Sequence, residues 1–133
     1  MKYRKGYKYQ LFYTENIQTD IIPDIYIETE YIELTIKGLL TVKEGYAWDG
    51  ASGPTIDTKS SMRASLIHDA FYQLFREEKL GLHYRPEVDR LFCQICKEDG
   101  MWPWRANLWY FMVHKFALSA SVPENDKEII EAP

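Results

Sequence analysis

The sequence predicts an α+β chain, a small antiparallel sheet followed by three helices. Three observations point there. Up to residue 46 the chain is rich in Tyr, Ile, Val and Thr with partial two-residue alternation; residues 47–60 gather Gly, Pro, Ser and Asp; from Ser61 onward apolar positions recur at helical spacing. A chain of 133 residues is most simply one domain over 1–133, long enough to bury a core.

Taken in order, the β part (about 7–46) holds expected strands at 7–13, 24–30, 31–37 and 39–46, with Lys37-Gly38 as a turn between two of them. In the second strand Ile25, Ile27 and Thr29 fall on one face and Tyr26, Glu28 and Glu30 on the other. The loop at 47–60 holds Asp49, Gly50, Ser52, Gly53, Pro54, Thr55 and Asp57, a composition that suits neither a strand interior nor a helix. The helical part spans 61–118. Ser60 or Ser61 is placed to cap a first helix reaching about Arg76, and Gly81 punctuates the connection. Pro86 opens a second helix ending near Gly100, and Pro103 opens a third, from Trp104 to about Leu118. Residues 119–133 read as a loose polar tail.

Composition excludes several classes. Hydrophobic residues make up 46% and aromatics 15%, far from a disordered composition. A formal net charge of −4 argues against nucleic-acid binding, which needs clustered Lys and Arg. The one basic cluster, Lys2 to Lys8, reads as a strand with a solvated edge rather than a nucleic-acid arm. Met1 leads into charged and tyrosine-rich residues, so no signal peptide is expected, and no apolar run reaches the roughly 18 residues of a membrane span. The expected setting is the cytoplasm of a host cell or a virion. Cys93 and Cys96 fall mid-helix, away from the helix N-terminus where a thiolate is favoured and without a second pair to complete a zinc ribbon, so they read as small buried hydrophobes. Trp102, Trp104, Trp109, Tyr110, Phe111 and Phe116 are expected mainly in the core, although their density also suits a membrane-surface or partner-binding face.

The chemistry-bearing residues concentrate on the first two helices. At about 100° per residue, Ser61, Ser65, His68, Asp69, Tyr72 and Arg76 share one stripe and Leu66, Ile67, Ala70, Phe71 and Leu74 lie opposite. A solvated stripe normally carries Lys and Glu, whereas this one carries a base, a carboxylate, hydroxyls and a guanidinium. On the second helix Val88, Leu91, Phe92, Ile95 and Cys96 form an apolar face and Glu87, Arg90, Gln94 and Lys97 a wet one. Asp89 sits at the edge of the apolar stripe beside Phe92 and Cys96, where a carboxylate needs a partner. His68 and Tyr72 are the natural partners. An Asp89–His68 bond fixes the imidazole tautomer and leaves the other nitrogen free to take a proton from water, the logic of a Ser-His-Asp triad with water as nucleophile. Asp69, with Asp49 and carbonyls of the Gly50–Gly53 loop, could hold a hard cation such as Ca²⁺ or Mg²⁺; Gly50, Ser52 and Gly53 are the loop positions expected near an oxyanion. No organic cofactor is expected. Ser52 lacks the Gly-x-Ser-x-Gly setting of a nucleophile. His83 and His114 have no acidic neighbour at helical spacing and are not expected to be ligands. A structural reading stands beside the catalytic one, because a His-Asp-Tyr-Asp set is also how a polar network locks two helices together.

Three ordered motifs, Gly45-Tyr46-Ala47-Trp48-Asp49-Gly50-Ala51-Ser52-Gly53-Pro54-Thr55, His68-Asp69-Ala70-Phe71-Tyr72-Gln73-Leu74 and Tyr84-Arg85-Pro86-Glu87-Val88-Asp89-Arg90-Leu91-Phe92, resemble a family of small phage and prophage proteins of unknown function. The likeness spans roughly residues 7–116 and implies a phage or prophage origin. A narrower likeness concerns His68-Asp69, Tyr72 one turn on, and Asp89 on the next helix, which resemble the active-site helices of the phospholipase A2 group. That resemblance implies His68 as base, Asp69 as Ca²⁺ ligand, and Asp89 with Tyr72 orienting His68. The disulfides and cysteine-flanked glycine loop of that group are missing here. Two functions follow as expectations: a metal-assisted hydrolase of an ester or phosphoester acting on a small or lipid-like substrate, or a non-enzymatic phage accessory or virion protein binding a phage or host protein.

Overall fold

In the computed structural model, which describes residues 3–4, 9–48 and 59–116, the alternation of the first third gives two small antiparallel sheets. They belong to the first of two compact units, 1–50 and 51–133. The first sheet has the order β1 (Tyr3–Arg4), β2 (Tyr9–Leu11), β7 (Ala47–Trp48). The second has the order β3 (Glu15–Gln18), β6 (Leu39–Val42), β5 (Ile32–Leu34), β4 (Ile27–Glu28).

The expected strands therefore exist in shortened form: β6 ends at Val42 and 43–46 form a turn, while Ala47–Trp48, expected in the loop at 47–60, is a strand of the first sheet. Strand β3 was not foreseen, since Glu15, Asn16 and Gln18 have weak strand preference. Its register against β6 supplies the reason it forms, because Ile17 pairs with Leu40, which pairs in turn with Leu34, and Leu34 with Ile27. The other pleat face carries Asn16, Thr41, Glu33 and Glu28. There Thr41 Oγ1 donates to Asn16 Oδ1 at 2.7 Å and Lys43 bridges Glu33 and Glu28 at 3.0 and 3.9 Å. Ile25 corrects the predicted alternation: it is exposed, because only Ile27–Glu28 of that segment pairs as strand. The Lys37-Gly38 turn forms as expected, with Gly38 at φ +89 closing onto Thr35 O at 3.0 Å. A Cβ at Gly38 would lie 2.3 Å from Thr19 O, so no other residue fits there without backbone movement.

The second unit contains the three expected helices, α1 (Lys59–Arg76), α2 (Arg85–Glu98) and α3 (Pro103–Phe116), with a short 3-10 turn at Leu82–Tyr84. Helix α2 packs on both α1 and α3. Helix α1 begins at Lys59, so Ser60 and Ser61 fall within its first turn rather than ahead of it. The end of α1 is set by Glu78 at φ +58, with Lys79 N bonded to Leu74 O at 2.9 Å. Gly81, expected as the punctuation, has an ordinary φ of −68 and precedes the 3-10 turn. Gly100, at φ +99, ends α2, and the Met101 N–H reaches back to Cys96 O at 2.9 Å, the 6→1 bond of a left-handed helix stop.

Between Met62 and Phe75 every α1 side chain is buried except Arg63, Asp69 and Gln73, which are half-buried. The stripe that carries Ser65, His68 and Tyr72 is thus covered, as is the apolar stripe opposite. Arg63 ties α1 to the end of α2 through two bonds of 3.0 Å to Asp99 and one of 3.2 Å to Glu98. No described helix is long and apolar enough to cross a membrane. Cys93 and Cys96 are buried free thiols, and burial raises the Cys96 thiol to about 12, so it stays protonated as its predicted packing role requires.

Candidate functional site

The site is built on one buried carboxylate. Pro86 in the first turn of α2 fixes the start of that helix, and Asp89 falls one turn in, on the face that also carries Phe92 and Cys96. Asp89 is fully buried. Removing a carboxylate from water costs several kcal/mol unless hydrogen bonds replace its hydration. They are supplied from two other helices. From α1, His68 Nε2 and Tyr72 Oη both reach Asp89 Oδ1 at 2.7 Å; these residues stand one helical turn apart, so a single carboxylate oxygen meets both. From α3, His114 Nδ1 reaches Oδ2 at 2.7 Å. Arg85, one turn before Asp89 on α2, brings Nη1 to 3.8 Å of Oδ2 and donates to the His114 carbonyl at 3.4 Å.

Burial pushes the Asp89 carboxyl upward, but the bonds from His68, Tyr72 and His114 outweigh it and hold the group below its ordinary value. Asp89 is therefore ionised and can only accept. Both histidines must donate to it, which assigns their tautomers by the network: His68 carries its proton on Nε2 and His114 on Nδ1. The other ring nitrogens, His68 Nδ1 and His114 Nε2, make no bond to Asp89. Burial, followed by the Asp89 charge, raises the Tyr72 hydroxyl far above its ordinary range, so Tyr72 remains a donor.

Aromatic contacts fix the rings. His68 stacks on Tyr72 at 4.2 Å between centroids and meets the edge of Phe92 at 5.4 Å. Tyr110 lies parallel to His114 at 5.8 Å. The two imidazoles differ in exposure, 3% of the His68 side chain against 38% for His114. No buried polar side-chain atom among the described residues lacks a hydrogen-bond partner.

The structure thus brings together three of the predicted residues, His68, Tyr72 and Asp89. Asp69 is half-buried on the next position of α1. Asp49, Gly50, Ser52 and Gly53 lie outside the described residues, and among the described residues no three His, Cys, Asp or Glu side chains converge as a cation site. Sequence reasoning missed His114. It sits 25 positions from Asp89, and no helical or strand period links residues so far apart. The surviving signal is chemical: Asp89 needs donors on both oxygens, and His68 and Tyr72 serve only one. The aromatic third helix is a second correction. Trp102, Trp104 and Phe111 are 71%, 65% and 61% exposed rather than in the core.

Comparison with curated proteins and with solved structures gives no match. A family model described as a protein of unknown function, DUF1353, matches residues 24–113. That span begins within the second sheet, runs through most of α3 and includes His68, Tyr72, Arg85 and Asp89, with His114 one residue beyond it, so the chain belongs to the DUF1353 family.

Proposed function

We propose that the chain is a phage-encoded hydrolase of an ester or phosphoester in which His68 is the general base and Asp89 and Tyr72 position it. The observation that carries the reading is the 2.7 Å bond between His68 Nε2 and an ionised, buried Asp89, which leaves His68 Nδ1 outside that bond. In this mechanism Nδ1 takes a proton from water as the water oxygen attacks the carbonyl carbon or phosphorus. Asp89 stabilises the imidazolium that forms, and the proton then passes to the departing oxygen. Tyr72 holds the Asp89 oxygen in place by donating to it. The arrangement of His68, Tyr72 and Asp89 is the part of the phospholipase A2 likeness that supports this reading. A hard cation on Asp69 and the 49–53 loop would supply electrophilic help to the reacting oxygen; the dyad does not depend on it.

A second reading is favoured by one observation, the near-complete burial of His68. In it the Asp89 network is a lock that joins α1, α2 and α3 in a phage accessory or virion protein. Two substitutions separate the readings. In the hydrolase, His68→Gln lowers hydrolysis of nitrophenyl acyl or phosphate esters by about 10²–10⁴-fold with little change in melting temperature, and Asp89→Asn lowers it too. In the lock, the same changes destabilise the fold by about 1–3 kcal/mol, and phage fitness falls only as folded protein is lost. An inactive but stable His68→Gln protein supports catalysis; a wild type that hydrolyses none of these esters, with unstable variants, replaces it by the lock.

A further inference from the structure

We propose that the exposed face of α3, with the Trp102 turn before it, docks on an anionic lipid bilayer. Positions 104, 108 and 111 follow i, i+4, i+7 spacing and so share one stripe of the helix. Trp104, Leu108 and Phe111 on that stripe are 65%, 49% and 61% exposed, and Trp102 beside it is 71% exposed. Trp102, Trp104, Arg105 and Leu108 line a concave patch of about 420 Å³. Four large apolar side chains clustered on one surface differ from the scattered exposure normal for a soluble face.

Charge identifies the occupant. The chain as a whole is acidic, at −4, yet α3 contains Arg and Lys and no Asp or Glu. Alongside, the groove between α2 and α3, of about 370 Å³, is rimmed by Arg90 and Lys97 and has no acidic residue in its lining. Both cations are exposed, and neither has an ion pair among the described residues. At the end of α2, Asp99 and one oxygen of Glu98 hold Arg63, and the other Glu98 oxygen is occupied by Gln94 Nε2. An apolar stripe edged by tryptophan and flanked by cations matches the boundary between lipid headgroups and acyl chains. Indole rings sit well there with one polar edge, and Lys and Arg meet anionic headgroups. A second copy of the chain fits less well, because pairing the same faces would bring Arg90 and Lys97 toward their own counterparts with no carboxylate to offset them. With 14 residues, α3 is about 21 Å long and lies on a bilayer rather than crossing it. The inference stands whether or not the chain is a hydrolase.

The test uses the full chain with extruded vesicles, pure phosphatidylcholine against equal parts phosphatidylcholine and phosphatidylglycerol, read by cosedimentation and by the tryptophan emission shift. The expected result is binding to the phosphatidylglycerol vesicles that weakens with added salt. The triple variant Trp102→Ser, Trp104→Ser, Phe111→Ser should lose about tenfold or more in partitioning, and Arg90→Gln with Lys97→Gln about tenfold. Melting curves should stay near wild type, since all five side chains are exposed. Absence of binding, or equal binding to neutral vesicles, overturns the proposal. So does a dimer in sedimentation equilibrium that the triple variant dissolves, which would assign the face to a second copy.

Discussion

Asp89 concentrates the energetics of the second unit in one side chain. Three donors share its two oxygens, each bond to a charged group contributing about 1.5–3 kcal/mol, against a desolvation cost of similar total size. Removing the carboxylate therefore differs from removing a donor. Asp89→Ala should cost about 3–5 kcal/mol, because His68, Tyr72 and His114 all lose their acceptor in a covered site. His114→Ala should cost less, about 1 kcal/mol, since that ring is partly in water and a solvent molecule can take its place at Oδ2. Urea titrations of both variants check the order, and equal losses would contradict it. The carboxyl also predicts a pH dependence. Its folded pKa lies below the ordinary 3.8, so the unfolded chain binds more protons in acid. The stabilisation is fully present above the ordinary value and is lost as pH falls through the lowered folded one. Asp89→Asn should flatten the acid limb of stability against pH, and an unchanged slope would mean that the acid sensitivity arises elsewhere.

The helix termini show where local pattern ends and packing takes over. All three helices, both prolines at their first turns and the glycine stop at Gly100 are legible from spacing and punctuation. The stop of α1 is not, because Glu78 adopts a left-handed φ of +58 that its residue type disfavours. That strain, of about 1 kcal/mol, is held by the Lys79 N to Leu74 O closure. Glu78→Gly should raise stability by a few tenths to about 1 kcal/mol, measured as a higher urea midpoint with an unchanged slope; a lower midpoint would mean that the Glu78 side chain contributes more than its backbone costs. The same divide runs through the sheets and the site. Alternation located most strands, but the strand at Ala47–Trp48, read as loop, depends on its pairing with Tyr9 and Gln10, a long-range choice. His68, Tyr72 and Asp89 were readable because each interrupts an apolar helical pattern. His114 was not, since only the packing of α3 on α2 brings it to Asp89, and the exposed Trp102 and Trp104 break the rule that aromatic density means core.

At the scale of the whole molecule, global stability reports any ligand that prefers the folded chain, whichever residues hold it. Asp69 lies next to His68 at half exposure, and a cation bound there would register as a gain in global stability. If Asp69 and Asp49 hold a hard cation, Ca²⁺, Mg²⁺ or Mn²⁺ at a hundredfold excess over its dissociation constant should stabilise the fold by about 2.7 kcal/mol. Asp69→Asn should abolish that gain while leaving the cation-free melting temperature close to wild type. The His68–Asp89 bond supplies an internal control, because its donor lies on α1 and its acceptor on α2, and its 2.7 Å contact needs no ion. A low-field imidazole proton from His68 Nε2 should therefore persist in chelator, in Asp69→Asn and in metal-loaded protein alike. A melting temperature indifferent to all three ions removes the electrophile from the mechanism and leaves the dyad to act on water alone, which restricts the substrate to esters with good leaving groups. A cation-dependent shift that survives Asp69→Asn moves the ion to another carboxylate. Loss of the His68 proton on chelation would tie the dyad to the metal and overturn the independence argued from its geometry.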